Sequence, residues 1–389
     1  MKNLPALTFA LALAVAACGP DKPAMAPEPQ PAPPSPTGDV SVPPHPAITN
    51  APPAATAAPT AEPAALPPPK PTTIALARTG DEKLDTLLAQ GDKAFEAGDY
   101  DKSLTIYKQA MAQAPRKAAP IVGSARSRAA KNAPNLGFAA AEKNGEVLAA
   151  AKDLKRAADM EPTFGPAQVE LGRAYLLLGD GPQAEAALRK GVRLLPDDAE
   201  AHSALGVALL AIGKTEEALT ELTRAREIDP GSAARRGNLG TVLFMRGRVA
   251  DAIKEYEIEV RLVPDDARAH SDLGTALLAQ SDFTRAVPEL KKAIQLDPKR
   301  ATFRSNLGYA LQLSGKVTEA INEYREALKI DPKLSSAWIN LATALSRDPK
   351  TRGEARQALK TAQGLDPSDP RVKANLEELD ALEKGAPKP

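Results

Sequence analysis

The stretch AEAHSALGVALLAIGKTEEALTELTRAREIDPGS, residues 199–232, decides the fold of this chain of 389 residues. Its proline, Pro230, belongs to a series with a spacing of 34 residues: Pro162, Pro196, Pro230, Pro264, Pro298 and Pro332, with Pro367 following after 35. A fixed period of this length indicates an array of short structural repeats, each packing mainly on its neighbours. The sequence therefore predicts an elongated repeat fold.

Other positions repeat in the same register when each proline is counted as position 32. Position 7 is leucine in six consecutive repeats, from Leu171 to Leu341. In the first five of these repeats position 8 is glycine, position 20 is alanine, and position 24 is leucine or tyrosine. Small residues let two helices cross closely, and large apolar residues fill the remaining space. This combination resembles the tetratricopeptide repeat (TPR) family throughout residues 165–369.

The resemblance implies an all-α fold: a right-handed TPR superhelical solenoid of about eight helix pairs with a C-terminal capping helix. The array is predicted at 83–369, as irregular repeats 83–117 and 118–164 followed by regular repeats 165–198, 199–232, 233–266, 267–300, 301–334 and 335–369. An apolar stripe at helical spacing predicts the capping helix at 370–384, before a tail at 385–389. The second irregular repeat contains an insertion near 133–145, which is expected to form a surface loop.

One residue departs from the repeat pattern inside the regular part of the array. Glu259 occupies position 27, where a small residue is usual. A long charged side chain at a closely packed position is expected to disturb its repeat.

The only cysteine of the chain, Cys18, follows a short apolar run near the start. Residues 1–17 are typical of an export signal, and the run is too short for a membrane-spanning helix. The stretch Val15–Cys18 resembles a bacterial lipobox, which implies cleavage before Cys18 and attachment of acyl chains, palmitate among them, to that residue. Gly19, where aspartate would favour the inner membrane in some bacteria, favours the outer membrane. An ordinary signal peptide that leaves Cys18 as a spare thiol is the alternative.

Residues 18–82 are predicted to be a disordered linker behind the lipid anchor. Between Pro20 and Pro71 lie 19 of the 37 prolines, mixed mainly with alanine, threonine and serine. Such a segment has too little large apolar surface to offset the entropy lost on ordering. We expect it to hold the folded array away from the membrane, although a proline-rich ligand motif in the stretch PAPPSP, residues 31–36, remains an alternative.

Composition and motifs give no support for an enzyme, a cofactor, a metal or a nucleic-acid partner. Lysine and arginine number 50 against 49 aspartates and glutamates, so no basic excess favours nucleic acid. The glycines fall at repeat positions rather than in a phosphate-binding motif. His202 and His270 both occupy position 4, two repeats apart, and are interpreted as packing residues.

A TPR array presents a concave groove lined by the first helix of each repeat, and the resemblance implies that partners bind there. Position 6 is polar in four consecutive repeats and position 9 is threonine in three; the candidate partner-binding residues are Asn238, Asp272, Asn306, Asn340, Thr241, Thr275 and Thr343. Side-chain amides can both donate to and accept from an extended peptide. The alternative is that asparagine at position 6 is a common TPR residue in the groove without a role in binding here.

Together these features predict a lipid-anchored adaptor of the cell envelope. The architecture is similar to that of TPR lipoproteins that act as pilotins and assembly factors at the outer membrane. The expected partners are other envelope proteins, bound through extended segments, in a secretion, pilus or motility machine. A structural link between the outer membrane and the cell wall or division proteins is the first alternative, with peptidoglycan nearby. An accessory or chaperone-like subunit of an envelope enzyme is the second. The protein is expected to face the periplasm, with surface exposure left open.

Overall fold

The computed structural model describes residues 73–132 and 144–385, and within these ranges every regular element is helical. The α-helices are α1 (Glu82–Glu96), α2 (Tyr100–Gln113), α3 (Ala118–Asn132), α4 (Gly145–Met160), α5 (Gly165–Leu177), α6 (Gly181–Leu194), α7 (Ala199–Ala211), α8 (Thr215–Ile228), α9 (Ala233–Met245), α10 (Val249–Leu262), α11 (Ala267–Ala279), α12 (Phe283–Leu296), α13 (Ala301–Leu313), α14 (Val317–Ile330), α15 (Ser335–Leu345), α16 (Arg352–Leu365) and α17 (Pro370–Glu383). Eight consecutive pairs and a final helix confirm the predicted helical solenoid.

Position 8 must be small because the second helix of each repeat lies directly against it. A Cβ atom placed on Gly206 would lie 2.5 Å from Cγ of Leu222, which is fully buried at position 24. In two other repeats the glycine at position 8 faces a tyrosine: Gly240 faces Tyr256, and Gly308 faces Tyr324. A larger residue at position 8 would force the two helices apart. The glycine and the large apolar residue therefore act as a matched pair within each repeat.

The turns between paired helices depend on a left-handed residue at position 15. Gly213 adopts a φ of 77° there, and its amide donates to the carbonyl of Leu210 at the end of α7. Glycine reaches this conformation without steric cost and so ends the first helix. Ser281 adopts a φ of 60° at the same position, so the repeat geometry is strong enough to impose the turn on a non-glycine residue.

Aspartate caps set where several first helices begin. The Asp198 side chain accepts hydrogen bonds from the amides of Glu200 and Ala201, at 2.9 and 3.0 Å, and Asp266 caps α11 in the same way. These bonds satisfy donors that the first turn of a helix leaves free. Ser232, at the corresponding place before α9, makes no such cap and instead accepts from the guanidinium of Arg235.

The last helix covers the open end of the array. Val372 and Leu379 of α17 are buried against the final repeat, and Leu376 packs beside Trp338. Polar residues occupy its outer side, as expected of a terminal cap. None of the helices in the described residues combines the length and the apolar character needed to cross a bilayer.

The linker prediction is wrong at its C-terminal end, because the ordered contacts begin before α1. Residues 73–79, which we call the strap, precede α1; the chain is extended up to Leu76 and then turns at Ala77, where the Arg78 amide donates to the Leu76 carbonyl at 2.8 Å. Ile74 and Leu76 have 1% and 0% of their surface exposed, and both belong to the apolar core. Burial of two large aliphatic side chains offsets the cost of ordering this short segment.

Four predictions fall on residues outside the described ranges. These are the signal at 1–17, the lipid attachment at Cys18, the linker up to residue 72 and the tail beyond residue 385. Most of the insertion also lies outside them, between the end of α3 at Asn132 and the start of α4 at Gly145.

Candidate partner-binding groove

The first helices of neighbouring repeats form the inner layer of the array. They contact one another directly, as α7 does with α9, α9 with α11 and α11 with α13. Helices on the inside of a curved stack are closer together than those on the outside, so this layer lines the concave groove. Positions 2, 5, 6, 9 and 13 are the positions expected to line it, and it divides into three parts of different chemistry.

The strap occupies the N-terminal part of the groove. The amide of Leu76 donates to Oδ2 of Asp92 at 2.9 Å, and Nη1 of Arg126 donates to the carbonyl of Ile74 at 2.9 Å. The hydroxyl of Thr73 donates to Oε1 of Glu96 at 2.6 Å. Asp92 and Glu96 occupy positions 9 and 13 of the first repeat, and Arg126 occupies position 9 of the second. The strap therefore occupies positions 9 and 13 of the groove in the first repeat and position 9 in the second, and it runs antiparallel to α1.

A buried ion pair supports the strap from beneath. Nη2 of Arg126 donates both to Oδ1 of Asp92 and, at 2.7 Å, to the Tyr107 hydroxyl, which itself donates to Oδ1 of Asp92 at 2.6 Å. Burial raises the pKa of Tyr107 far above its usual value. Burial works against the charge of Arg126, but Tyr107, Asp92 and Glu170 outweigh it and raise the pKa of Arg126. Arg126 is thus a permanent buried cation.

Further buried charges continue this pattern along the first helices. Glu170 lies 3.8 Å from Arg126 and 3.9 Å from Arg173, measured between their closest nitrogen and oxygen atoms. Arg173 in turn lies 2.8 Å from Glu200, which lies 3.7 Å from Arg235. Burial raises the pKa of Glu200 to about 7, although both arginines lower it. The chain of alternating charges joins five consecutive repeats, from α1 to α9.

Two carboxyl groups in the middle of the array have little cationic compensation: Asp272 on the groove layer, and Glu259 on α10 behind it. Glu259 is 6% exposed, and its Oε2 has no hydrogen-bond partner. Burial raises the pKa of Glu259 well above its usual value, and the charge of Asp272 adds to the effect. Burial also raises the pKa of Asp272 to about 6, with Arg268 opposing at 3.4 Å. Part of the Asp272 side chain remains exposed to the groove.

Glu259 fits its repeat because the facing helix has no side chain at the contact. A Cβ atom on Gly237 would lie 2.7 Å from Cδ of Glu259. Position 5 is serine in three other repeats, at Ser203, Ser271 and Ser305. The expected disturbance is therefore absorbed locally by Gly237, and α9 and α10 keep their full lengths.

The asparagines at position 6 are not equivalent. Asn238 is 4% exposed, and its amide donates to the Ser203 hydroxyl of the preceding repeat at 3.2 Å. Asn306 is half-buried and donates to the Thr275 hydroxyl at 3.3 Å. Asn340 is half-buried and makes no side-chain hydrogen bond within the described residues. Asn238 and Asn306 therefore both link neighbouring repeats, but only Asn306 and Asn340 remain accessible from the groove.

The threonines at position 9 use their hydroxyl protons within their own helices. Thr241, Thr275 and Thr343 donate to the carbonyls of Gly237, Ser271 and Ile339, at 2.9, 2.8 and 3.0 Å. The Thr275 hydroxyl oxygen also accepts from Asn306 at 3.3 Å, that of Thr241 accepts from the Tyr256 hydroxyl at 3.2 Å, and the Thr343 hydroxyl lies 3.4 Å from Oδ1 of Asn375. A role of these threonines in binding stays a prediction, limited to accepting hydrogen bonds.

The groove also exposes large apolar side chains that the sequence analysis did not single out. Tyr309 and Leu313, at positions 9 and 13 of α13, are 44% and 45% exposed. Met245 occupies position 13 of α9 and is also exposed. Positions 9 and 13 mark them as candidates for the groove, but their exposure is given only by the structure. Together with Asn306 and Asn340 they form what we call the open groove.

Position 4 contains a contact to the preceding proline carbonyl that recurs in several repeats. Nε2 of His202 and Nε2 of His270 lie 2.9 Å from the carbonyls of Pro196 and Pro264. Their Nδ1 atoms lie 2.6 Å from Glu221 and Glu289. Trp338 donates to the Pro332 carbonyl in the same way. Burial opposes protonation of His202, yet its bonds to Glu221 and the Pro196 carbonyl raise the pKa of His202.

Among the described residues, no cluster of three or more metal-binding side chains occurs.

The repeat pattern matches a known family over most of the array. A tetratricopeptide repeat family model matches residues 136–199, 169–233, 204–267, 238–301, 271–335 and 306–370, which together cover more than half of the chain. The chain belongs to the tetratricopeptide repeat family. The TPR fold is a scaffold for protein–protein interaction rather than a catalytic fold.

Individual similarities are more distant. The small glutamine-rich tetratricopeptide repeat-containing protein 2 of Mycosarcoma maydis is 31% identical over 116 residues, which is 30% of this chain and 29% of that protein. The Cut9–Hcn1 hetero-tetramer of the APC/C has a chain with a TM-score of 0.59 and 18% identity, covering 78% of this chain and 57% of that one. PilF of Pseudomonas aeruginosa is 21% identical with a TM-score of 0.47, covering 55% of this chain and 97% of that one. This chain thus spans less than a third of the curated relative and just over half of the Cut9–Hcn1 chain.

Proposed function

We propose that this protein is a lipid-anchored adaptor of the cell envelope that binds an extended segment of a partner protein in the open groove. The observation that carries the proposal is the contrast within the groove. Its N-terminal part is filled by the strap, whereas α13 presents the exposed apolar side chains Tyr309 and Leu313 beside the accessible amides of Asn306 and Asn340. Apolar contact supplies binding free energy, and amides can bond to the main chain of an extended segment.

The partner is another envelope protein, and the adaptor helps to assemble or localise an outer-membrane machine. Support for this location comes from the lipobox-like stretch before Cys18 and from the proline-rich linker that follows it. A linker of this composition lets a groove reach partners at a distance from the membrane.

Replacing Cys18 with serine is expected to abolish acylation and release the protein from the membrane fraction. Serine has no thiol to carry a thioether-linked lipid, and no other cysteine can substitute for it. Intact-mass measurement and membrane flotation of the wild type and the variant would test this. An unmodified wild-type mass, or a Cys18→Ser variant that still floats, would refute the lipid anchor.

A photoreactive amino acid at Tyr309 is expected to crosslink one discrete envelope partner. The matched control is the same amino acid at Lys291, an exposed residue on the second helix of the preceding repeat. Crosslinking from Lys291 but not from Tyr309 would move the binding surface out of the groove.

Asn306→Ala combined with Asn340→Ala is expected to weaken that partner's binding about thirtyfold. Each lost neutral hydrogen bond costs about 1 kcal/mol, so two cost about 2 kcal/mol. Binding of the purified crosslinked partner would be measured by calorimetry. Asn238→Ala serves as the control, because it should lower the melting temperature and leave binding unchanged. Equal affinities of the double variant and the wild type would show that position 6 takes no part.

A further inference from the structure

The strap is bound mainly through main-chain atoms and two buried aliphatic side chains, with the Thr73 hydroxyl on Glu96 and the Arg78 guanidinium 3.9 Å from Asp198 as polar contacts at its ends. The two main-chain bonds involve the Leu76 amide and the Ile74 carbonyl. Ile74 and Leu76 are buried, while Ala75 between them is exposed. Alternation of this kind is a property of any extended segment, since successive side chains point in opposite directions. The site therefore selects an extended chain with aliphatic residues two apart, and accepts any small residue between them.

The groups that hold the strap keep their positions without it. Asp92 receives Arg126 and Tyr107 on Oδ1 and uses the other oxygen, Oδ2, for the strap. Arg126 contacts Asp92 and Tyr107 through Nη2 and uses Nη1 for the strap. Each contact to the strap thus uses a hydrogen-bonding atom that is not needed to hold its own side chain in place. Such preorganisation lowers the cost of binding an incoming segment.

The strap can leave without disturbing the start of α1. Thr79 is held by Asp85 through both its amide and its hydroxyl, at 2.9 and 2.7 Å. Gly80 follows with a φ of 78°, and Asp81 caps the helix. These local bonds fix the turn independently of residues 73–78. Separation at Ala77 and Arg78 would therefore release the strap and leave the repeat intact.

We propose that the groove at the N-terminal end of the array is a recognition site for an extended segment with aliphatic side chains two residues apart, one of which packs on the first repeats and the other on the regular repeats that follow. The chain fills this site with its own strap, and a partner segment of the same chemistry binds there by displacing it. The proposal rests on the proposed function only for the idea that partners offer extended segments. The recognition site itself is defined by the contacts of Asp92 and Arg126.

The test uses the complete chain and a labelled peptide that copies residues 72–80. The double variant Ile74→Asp with Leu76→Asp should release the strap, since two carboxylates cannot remain in an apolar site. Ala75→Asp is the matched control, because it adds a charge at an exposed position between them. The peptide is expected to bind the double variant at least tenfold more tightly than the wild type or Ala75→Asp, as measured by fluorescence anisotropy. In those two proteins the tethered strap competes at high effective concentration.

Absence of peptide binding to a double variant that keeps its helical circular dichroism would overturn the proposal. Concentration-dependent dimers of the wild type, held together by exchanged straps, would also overturn it in favour of a second copy as the occupant.

Amide hydrogen exchange of the wild type gives a second test that needs no variant. The Leu76 amide should exchange at least tenfold faster than the protected amides of α1, whereas equal exchange would make the strap part of the cooperative core and refute displacement. None of these outcomes depends on crosslinking at Tyr309.

Discussion

Replacing Arg126 with methionine is expected to lower the free energy of unfolding by about 3–5 kcal/mol, because it leaves buried carboxylates without their cation. Arg126 is almost fully buried, pairs with Asp92 and lies 3.8 Å from Glu170. Methionine keeps much of the side-chain volume, so the loss reports on charge and hydrogen bonding. Guanidinium denaturation followed by circular dichroism would measure the change, and hydrogen exchange of α1 and α3 would locate it.

Arg128→Met is the control for this prediction. Arg128 lies two residues further along α3 and pairs with Asp153, but both side chains are partly exposed. An ion pair of that kind contributes at most about 1 kcal/mol. Adding Asp92→Asn to Arg126→Met should recover part of the lost stability, since the unpaired charge is removed. Equal losses for Arg126→Met and Arg128→Met would contradict a special role for the buried pair.

Glu259→Ala is expected to raise the stability of the protein by about 1–3 kcal/mol at neutral pH, because it removes a buried carboxyl with an unsatisfied oxygen. Position 27 is alanine at Ala225, Ala293 and Ala327, all fully buried. The space left beside Gly237 offsets part of the gain. Adding Gly237→Ser, which restores the residue of three other repeats, should recover it. Gly237→Ser alone should destabilise, because its side chain would collide with Glu259.

The gain from Glu259→Ala should depend on pH. Burial raises the pKa of Glu259 in the folded state above the ordinary value of 4.5. The wild type therefore loses stability, relative to the variant, as pH rises from 4.5 to the folded-state pKa, and the difference is constant above it. Melting temperatures of the wild type, Glu259→Ala and the neutral isostere Glu259→Gln between pH 4 and pH 8 would test this. A difference that does not change with pH would mean that folding leaves the pKa of Glu259 at its ordinary value, and would contradict the raised pKa.

The repeat fold could be predicted from the sequence because its determinants lie at fixed spacing. Gly206 and Leu222, or Gly240 and Tyr256, recur at the same positions in successive repeats, and each pair meets in the structure. The strap could not be predicted in this way. It has only two large aliphatic residues and directly follows the proline-rich segment. Its stability comes from Asp92 and Arg126, which are distant in the sequence.

The groove was predictable in position but not in chemistry. Positions 6 and 9 belong to the groove layer, yet the Asn238 amide already donates to Ser203 of the preceding repeat and is buried. The importance of Tyr309 depends on its exposure, which a repeat position alone does not give. Glu259 was recognisable as an exception, and the compensating Gly237 lies 22 residues earlier in the same repeat. The buried charges from Arg126 to Arg235 do not recur at one repeat position, so the sequence does not indicate which of them pair.

The chain of buried charges from α1 to α9 has a consequence for how the array unfolds. In a linear array, stability is the sum of the intrinsic terms of single repeats and nearest-neighbour coupling terms. Buried ion pairs add little net stability, but breaking one leaves a costly unpaired charge, so they act mainly on the coupling terms. They cross four successive repeat boundaries at the N-terminal end. At the boundary between α11 and α13 the corresponding polar link is the neutral bond from Asn306 to Thr275. The first five repeats should thus melt as one block, and fraying should start from the C-terminal repeats.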